Sequence, residues 1–137
     1  MDIKIIVDSC CDISNSEKER LGVEIIPLTL NLGDENFIDD DTLDLPGYMV
    51  KMKAHQGKVS SACPSPGSFK EAFLRAGNAI CITLSENLSG TYGSAVLGKE
   101  LAEEEGASVE IINSKSACAG EVLLVYKAQE LIDAGLE

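Results

Sequence analysis

Ala79-Ile80-Cys81-Ile82-Thr83-Leu84 runs directly into the polar loop Ser85-Glu86-Asn87-Leu88-Ser89-Gly90. A helical stretch from about Thr91 to Glu105 follows, and then Val109-Glu110-Ile111-Ile112. Short apolar runs joined through one helix are the pattern of buried strands in a parallel sheet. This strand–helix–strand unit decides the fold class, and the flanking sequence repeats it.

Toward the amino terminus, Ile3–Val7 is another short apolar run, read as a strand buried on both faces, and Asp8-Ser9-Cys10-Cys11-Asp12 is the polar turn after it. Ser14 with Glu17 reads as a capping box for a short helix to Leu21, which Gly22 ends. Val23–Leu32 is β-rich, with Pro27 marking an edge or a bulge, and Gly33-Asp34-Glu35-Asn36 turns the chain into a hairpin arm at Phe37-Ile38. Asp44 caps a predicted helix through His55, with Gly57 beyond its end. Lys58–Cys63 is extended. Ser65 then caps a helix with Pro66 in its first position, Phe69, Ala72, Phe73 and Ala76 as its apolar stripe, and Gly77 at its close. After Val109–Ile112 come the loop Asn113–Ala119 and a helix toward Leu136. The order predicts one α/β domain over residues 1–137, in three layers: a mostly parallel sheet with helices on both faces.

Composition narrows the function classes. The chain has 137 residues, 45% of them apolar and 25% charged, with a formal net charge of −12. Such an acidic surface disfavours nucleic acid and anionic headgroups, and no cluster of Lys or Arg offsets it. The first apolar run is too short for a signal peptide and no window reaches membrane-spanning length, so a cytoplasmic location without stable membrane insertion is expected. The five cysteines, at 10, 11, 63, 81 and 118, are odd in number, and two are adjacent. With no C-x-x-C pair and a single histidine, His55, neither a disulfide framework nor a zinc site is expected. Asp39-Asp40-Asp41 reads as a solvated loop with too few oxygen ligands for a calcium loop. No metal and no cofactor are expected.

Parallel sheets bind ligands beyond the carboxyl ends of their strands. The loops there, Asp8–Asp12, Ser60–Pro66, Ser85–Thr91 and Asn113–Ala119, are rich in small hydroxyl residues. Hydroxyls and helix amino-terminal N–H groups suit a carboxylate or a phosphate. Catalytic readings find less support. A nucleophile elbow around Ser89 would need glycine at positions 87 and 91, where Asn87 and Thr91 stand. Gly90-Thr91-Tyr92-Gly93 is neither a dinucleotide fingerprint nor a phosphate-binding loop with its lysine. Asp8, at the end of the first strand, is the one position suited to an aspartyl-phosphate enzyme, but Cys10 occupies the place of the usual second aspartate. Cys10 and Cys11 have no basic neighbour that would activate a thiol.

Taken in series, the same loops resemble the DegV family. Val7-Asp8-Ser9 is similar to its opening signature, and Ile26-Pro27-Leu28-Thr29 to its second-strand motif. Ser61-Ala62-Cys63-Pro64-Ser65-Pro66 with Phe69 resembles T-[SA]-x-P-S-P…F. Leu88-Ser89-Gly90-Thr91-Tyr92-Gly93-Ser94-Ala95 is similar to L-S-G-T-Y-x-S-A, and Asn113-Ser114-Lys115-Ser116-Ala117 to D-S-K-x-A. The resemblance covers nearly the whole chain as the amino-terminal half of a longer, two-domain protein.

It implies a non-enzymatic carrier that holds a long-chain fatty acid and presents its carboxylate to a fatty acid kinase in phospholipid synthesis. By the same resemblance the carboxylate is held by Ser61 and Ser89, with Gly90 and Thr91 at the helix amino terminus. Ser61 stands where the family has threonine, and the stretch from Phe69 to Ser89 is shorter by about one helical turn. With the second domain absent, weak ligand binding and a homodimer through the uncovered face are expected. The alternatives are a small phosphotransfer enzyme using Asp8 and a structural partner domain.

Overall fold

Ile6 packs with Phe69, Phe73 and Ala95, whereas its neighbours Ile5 and Val7 pack with Val23, Val125 and Ala128. A strand with apolar side chains on both faces belongs between two helical layers. The computed structural model, which describes residues 2–135, has those layers. In chain order the elements are β1 (Lys4–Asp8), α1 (Asn15–Leu21), β2 (Glu24–Ile26), β3 (Thr29–Leu32), β4 (Glu35–Ile38) and α2 (Leu45–Ala54). They continue with β5 (Val59–Ala62), α3 (Pro66–Ala76), β6 (Asn78–Thr83), α4 (Thr91–Glu103), β7 (Ser108–Asn113) and α5 (Ala119–Asp133).

The main sheet has the order β2-β1-β6-β7 with every pairing parallel. Helices α3 and α4 cover one face through Phe69, Phe73, Ala95 and Ala102, and α1 and α5 cover the other through Leu21, Val125 and Ala128. The expected three-layer α/β architecture is therefore present. Phe69 and Phe73 are both 0% exposed, and truncating a buried aromatic of this kind costs about 3–5 kcal/mol. Gly98 lets α4 approach α3: a Cβ there would lie 2.6 Å from the Phe69 Cβ and 2.8 Å from the Pro66 carbonyl oxygen.

Local signals placed the helix starts. Ser14 Oγ accepts the Glu17 N–H at 3.3 Å, and Gly22 ends α1 with φ 64°. The capping box is one-sided, because the Glu17 carboxylate turns to Arg20 at 2.6 Å. Asp44 caps α2 through the Gly47 N–H, and Ser65 caps α3 through the Ser68 N–H. The last helix ends at Asp133, and Leu136 lies outside the described residues.

Two expectations need correction. Val23–Leu32 is not one strand: Pro27, lacking an N–H, separates β2 in the main sheet from β3 in a second, antiparallel sheet of order β4-β3-β5. Lys58–Cys63 does not join the parallel sheet either, since β5 pairs antiparallel with β3, Ser61 opposite Leu30. Val59-Ser60-Ser61-Ala62 is mostly exposed and lacks the continuous apolar run that a doubly covered strand needs. The hairpin at Gly33 is as expected, with φ 59° at the first central position of a two-residue turn.

Candidate functional site

The chain passes from β1 to β2 in one direction across the main sheet, then returns to β6 and β7 on the other side of β1. The carboxyl ends of β1 and β6 therefore flank the switch point, where parallel sheets place their ligands. Asp8 ends β1 there and is 0% exposed. Its Oδ1 accepts the Cys10 N–H at 3.0 Å and its Oδ2 accepts the Leu84 N–H at 2.7 Å. Burial raises the Asp8 pKa, and these two N–H donors oppose the rise. With no solvent face, the Asp8 carboxylate is a clamp between two loops; an Asp8 nucleophile would require that clamp to open.

The remaining loops are tied to the same edge. The Ser85 N–H donates to the Ser116 carbonyl at 2.8 Å, and the Cys118 N–H to the Cys10 carbonyl at 3.1 Å. Asn113 Oδ1 accepts the N–H groups of both Glu86 and Lys115. Ser9 Oγ accepts the Leu28 N–H at 2.9 Å, which attaches the Pro27 segment. Lys115 and Cys118 sit at φ 52° and 55°, a left-handed backbone that side chains disfavour and that folded proteins keep mainly at functional loops. Three loops, following β1, β6 and β7, thus form one hydrogen-bonded rim.

Ser89 lies on this rim, half-buried, immediately before α4. Its Oγ accepts the Thr91 N–H at 3.2 Å and lies 2.9 Å from the Thr91 hydroxyl. Thr91 itself is 0% exposed, so its hydroxyl faces Ser89 and not the solvent. Gly90 is exposed and gives α4 no side-chain cap, which leaves the N–H groups of Tyr92 and Gly93 without a side-chain partner at the positive end of the helix dipole.

Ser61 is exposed on β5, in the second sheet. The segment that follows it runs beside α4: Cys63 Sγ lies 3.7 Å from Ser94 Oγ, and a Cβ at Gly90 would sit 3.6 Å from that sulfur. The serine-rich segment after β5 and the helix start after β6 thus meet, although they leave different sheets. His55 ends α2, where its backbone N–H donates to the Met52 carbonyl and its ring lies beside Gly33 and Gly57. Cys10 and Cys11 are both pushed up to about 12, first by burial and then by nearby carboxylates, so they stay thiols.

One buried group escapes a reading of the loops: Glu121, in the first turn of α5, is 0% exposed. Its signal is helical spacing, since Glu121, Val125 and Ala128 share one buried stripe. A cleft of about 450 Å³ opens beside α1 and β2, lined by Ser9 of the loop after β1 together with Lys18, Val23 and Asp39–Asp41; Ser61 and Ser89 do not line it. Among the described residues there is no cluster of metal-ligating side chains and no helix long and apolar enough to cross a membrane.

A model of the DegV family matches residues 2–137. A DegV domain-containing protein of Streptococcus pyogenes serotype M3 is 40% identical over 97% of this chain and 49% of its own length. Among solved structures, a DegV-family protein of Ruminococcus gnavus with vaccenic acid is similar with a TM-score of 0.92 at 36% identity, covering 100% of this chain and 50% of that one. The Streptococcus pneumoniae Fatty Acid Kinase B3 protein loaded with linoleic acid is similar with a TM-score of 0.87 at 36% identity, again over 100% of this chain and 50% of that one. A DegV-family protein of Eubacterium eligens loaded with heptadecanoic acid has a TM-score of 0.91 at 29% identity, over 99% and 49%. The chain spans about half the length of the relatives that it matches.

Proposed function

Because the chain belongs to the DegV family, we propose that it contributes the carboxylate-binding rim of a fatty-acid carrier. Ser89 and Ser61 donate their hydroxyls to the carboxylate of a long-chain fatty acid. Gly90 permits close approach to the backbone, the N–H groups at the start of α4 supply further donors, and Thr91 holds the Ser89 hydroxyl in place. The observation that carries this reading is that similar chains at 36% identity are described with vaccenic and linoleic acids.

The chemistry of the rim supports holding a ligand over transforming it. A carboxylate gains from charge-assisted hydrogen bonds and the helix dipole, and none of the proposed ligand-contacting residues is a general base. One similar protein belongs to a fatty acid kinase system, so a kinase that phosphorylates the presented carboxylate is the proposed partner. Residues 1–137 act as one α/β domain in this scheme. Leu88 and Leu123, 69% and 68% exposed near the same edge, are apolar surface through which two copies would pair if the face is otherwise uncovered.

Native mass spectrometry of the gently purified protein tests the reading. A bound mass equal to a long-chain fatty acid, lost on delipidation and regained with oleate, is the expected result. A bare chain that takes up no oleate would refute it.

A further inference from the structure

We infer that Asp8 and Glu121 form one acid pair sharing a single proton, and that this pair positions the Ser89 loop; the second half rests on the carboxylate-binding reading above. Both side chains are 0% exposed and lie within hydrogen-bonding reach of each other. Asp8 already accepts two backbone N–H groups. As carboxylates, both groups could only accept, and neither oxygen of Glu121 has a hydrogen-bond partner among the described residues, because the one N–H beside it, that of Cys118, is spent on the Cys10 carbonyl at 3.1 Å. A buried acceptor without a donor is costly, and two adjacent buried carboxylates do not both stay ionised. One proton on Glu121 removes both problems, because its O–H then donates to Asp8. Asp8 keeps the charge, since it holds the N–H donors.

The surroundings reinforce this assignment. Asp8 on β1, Cys10, Cys11 and Asp12 in the loop after it, Cys81 on β6 and Cys118 ahead of α5 are the titratable groups that act on the pair or feel its charge. All are acids or thiols, so ionised Glu121 would gain no compensating cation. Burial first, and the Asp8 charge second, push Glu121 up to about 9.

The link to the rim is a short series of bonds. Glu121 meets Asp8, Asp8 accepts the Leu84 N–H, the Ser85 N–H reaches the loop ahead of α5, and the Ser89 N–H donates to the Ser85 carbonyl at 3.2 Å. Ionising Glu121 sets two buried carboxylates against each other at the root of this series and adds negative charge beneath a site for an anion. Affinity for a carboxylate then falls, while the proton-bearing pair keeps the rim in register.

Two readouts test this separately. Carboxyl carbon NMR of the wild-type protein is expected to show Asp8 ionised and Glu121 still protonated at about pH 7. Both groups ionised at about pH 6 would overturn the shared proton. Oleate titrations at rising pH are expected to show wild-type affinity falling on the order of tenfold as Glu121 ionises, with Glu121→Gln flat, because its amide is neutral and donates to Asp8. Parallel pH profiles for the two proteins would overturn the positioning role. Absence of oleate binding at every pH would sink the carrier reading and the positioning role with it, and the carboxyl titration would still decide the proton. That titration needs no variant, and neither does the wild-type oleate profile: affinity that stays level while Glu121 ionises would overturn the positioning role even if Glu121→Gln folds poorly.

Discussion

Asp8 Oδ2 accepts the Leu84 N–H at 2.7 Å across 76 residues of sequence, joining the ends of β1 and β6 on either side of the sheet's switch point. With Oδ1 on the Cys10 N–H, one buried carboxylate fixes two loops at once. Replacing it with Asn leaves a single acceptor for two donors and turns an NH₂ group toward one of them. Asp8→Asn is expected to lose about 2–4 kcal/mol in urea unfolding. The variant also removes a like charge beside Glu121, whose pKa is then expected to fall but to stay above the ordinary carboxylate range, because burial is the larger cause. A change in unfolding free energy below about 1 kcal/mol would show that the clamp matters little.

Glu121 gives stability an unusual pH slope. Its pKa is raised in the folded chain from an ordinary 4.5 to about 9, so between these values the folded state holds a proton that the unfolded state has released. Stability from this group is therefore highest below about pH 4.5 and declines as pH rises toward 9. Glu121→Gln removes that decline. At neutral to mildly alkaline pH the variant is expected to be more stable than wild type by on the order of 1–3 kcal/mol, a gap that closes as the pH is lowered. Thermal unfolding of both proteins across this range checks the sign. A gap that widens in acid would contradict it.

Gly98 opposes helix propensity to packing. Alanine in a helix interior is favoured over glycine by about 1 kcal/mol. Here the added Cβ would sit 2.8 Å from the backbone oxygen of Pro66 and 2.6 Å from the Phe69 Cβ, neither of which is a flexible side-chain end. Overpacking costs about 1–3 kcal/mol, so Gly98→Ala is expected to lower the melting temperature despite its better propensity. A higher melting temperature would mean that α3 and α4 separate easily.

Much of this arrangement is legible in the chain because its signals are local. Ser14, Asp44 and Ser65 announce their helices within a few residues, and the apolar runs at Ile5–Val7 and Ala79–Thr83 can only be doubly covered strands. The pairing of β5 is not legible: Val59–Ala62 is extended by composition, but nothing in four small or exposed residues chooses between parallel and antiparallel neighbours. Pro27 is visible as an interruption, yet whether it bends one strand or divides two sheets depends on where the Ser9 hydroxyl and the Leu28 N–H meet. The segments around Ser61 and Ser89 share small hydroxyl residues, and their approach through Cys63 and Gly90 follows from the packing of α3 against α4. Glu121 is hidden for a different reason. A glutamate in a first helical turn ordinarily complements the dipole in water, and only its spacing with Val125 and Ala128 marks it as buried.

Carboxylate capture at Ser89 is tested most directly by titrating oleate and methyl oleate into the wild-type protein and into Ser89→Ala, with melting curves to confirm that the variant is folded. A hydroxyl donating to an ionised carboxylate is worth about 1.5–3 kcal/mol, so oleate is expected to bind the variant about tenfold or more weakly. The neutral ester lacks the charge, and its binding is expected to change far less. Equal oleate affinity in the folded variant and the wild type, or an equal loss for oleate and its ester, would contradict carboxylate binding at Ser89.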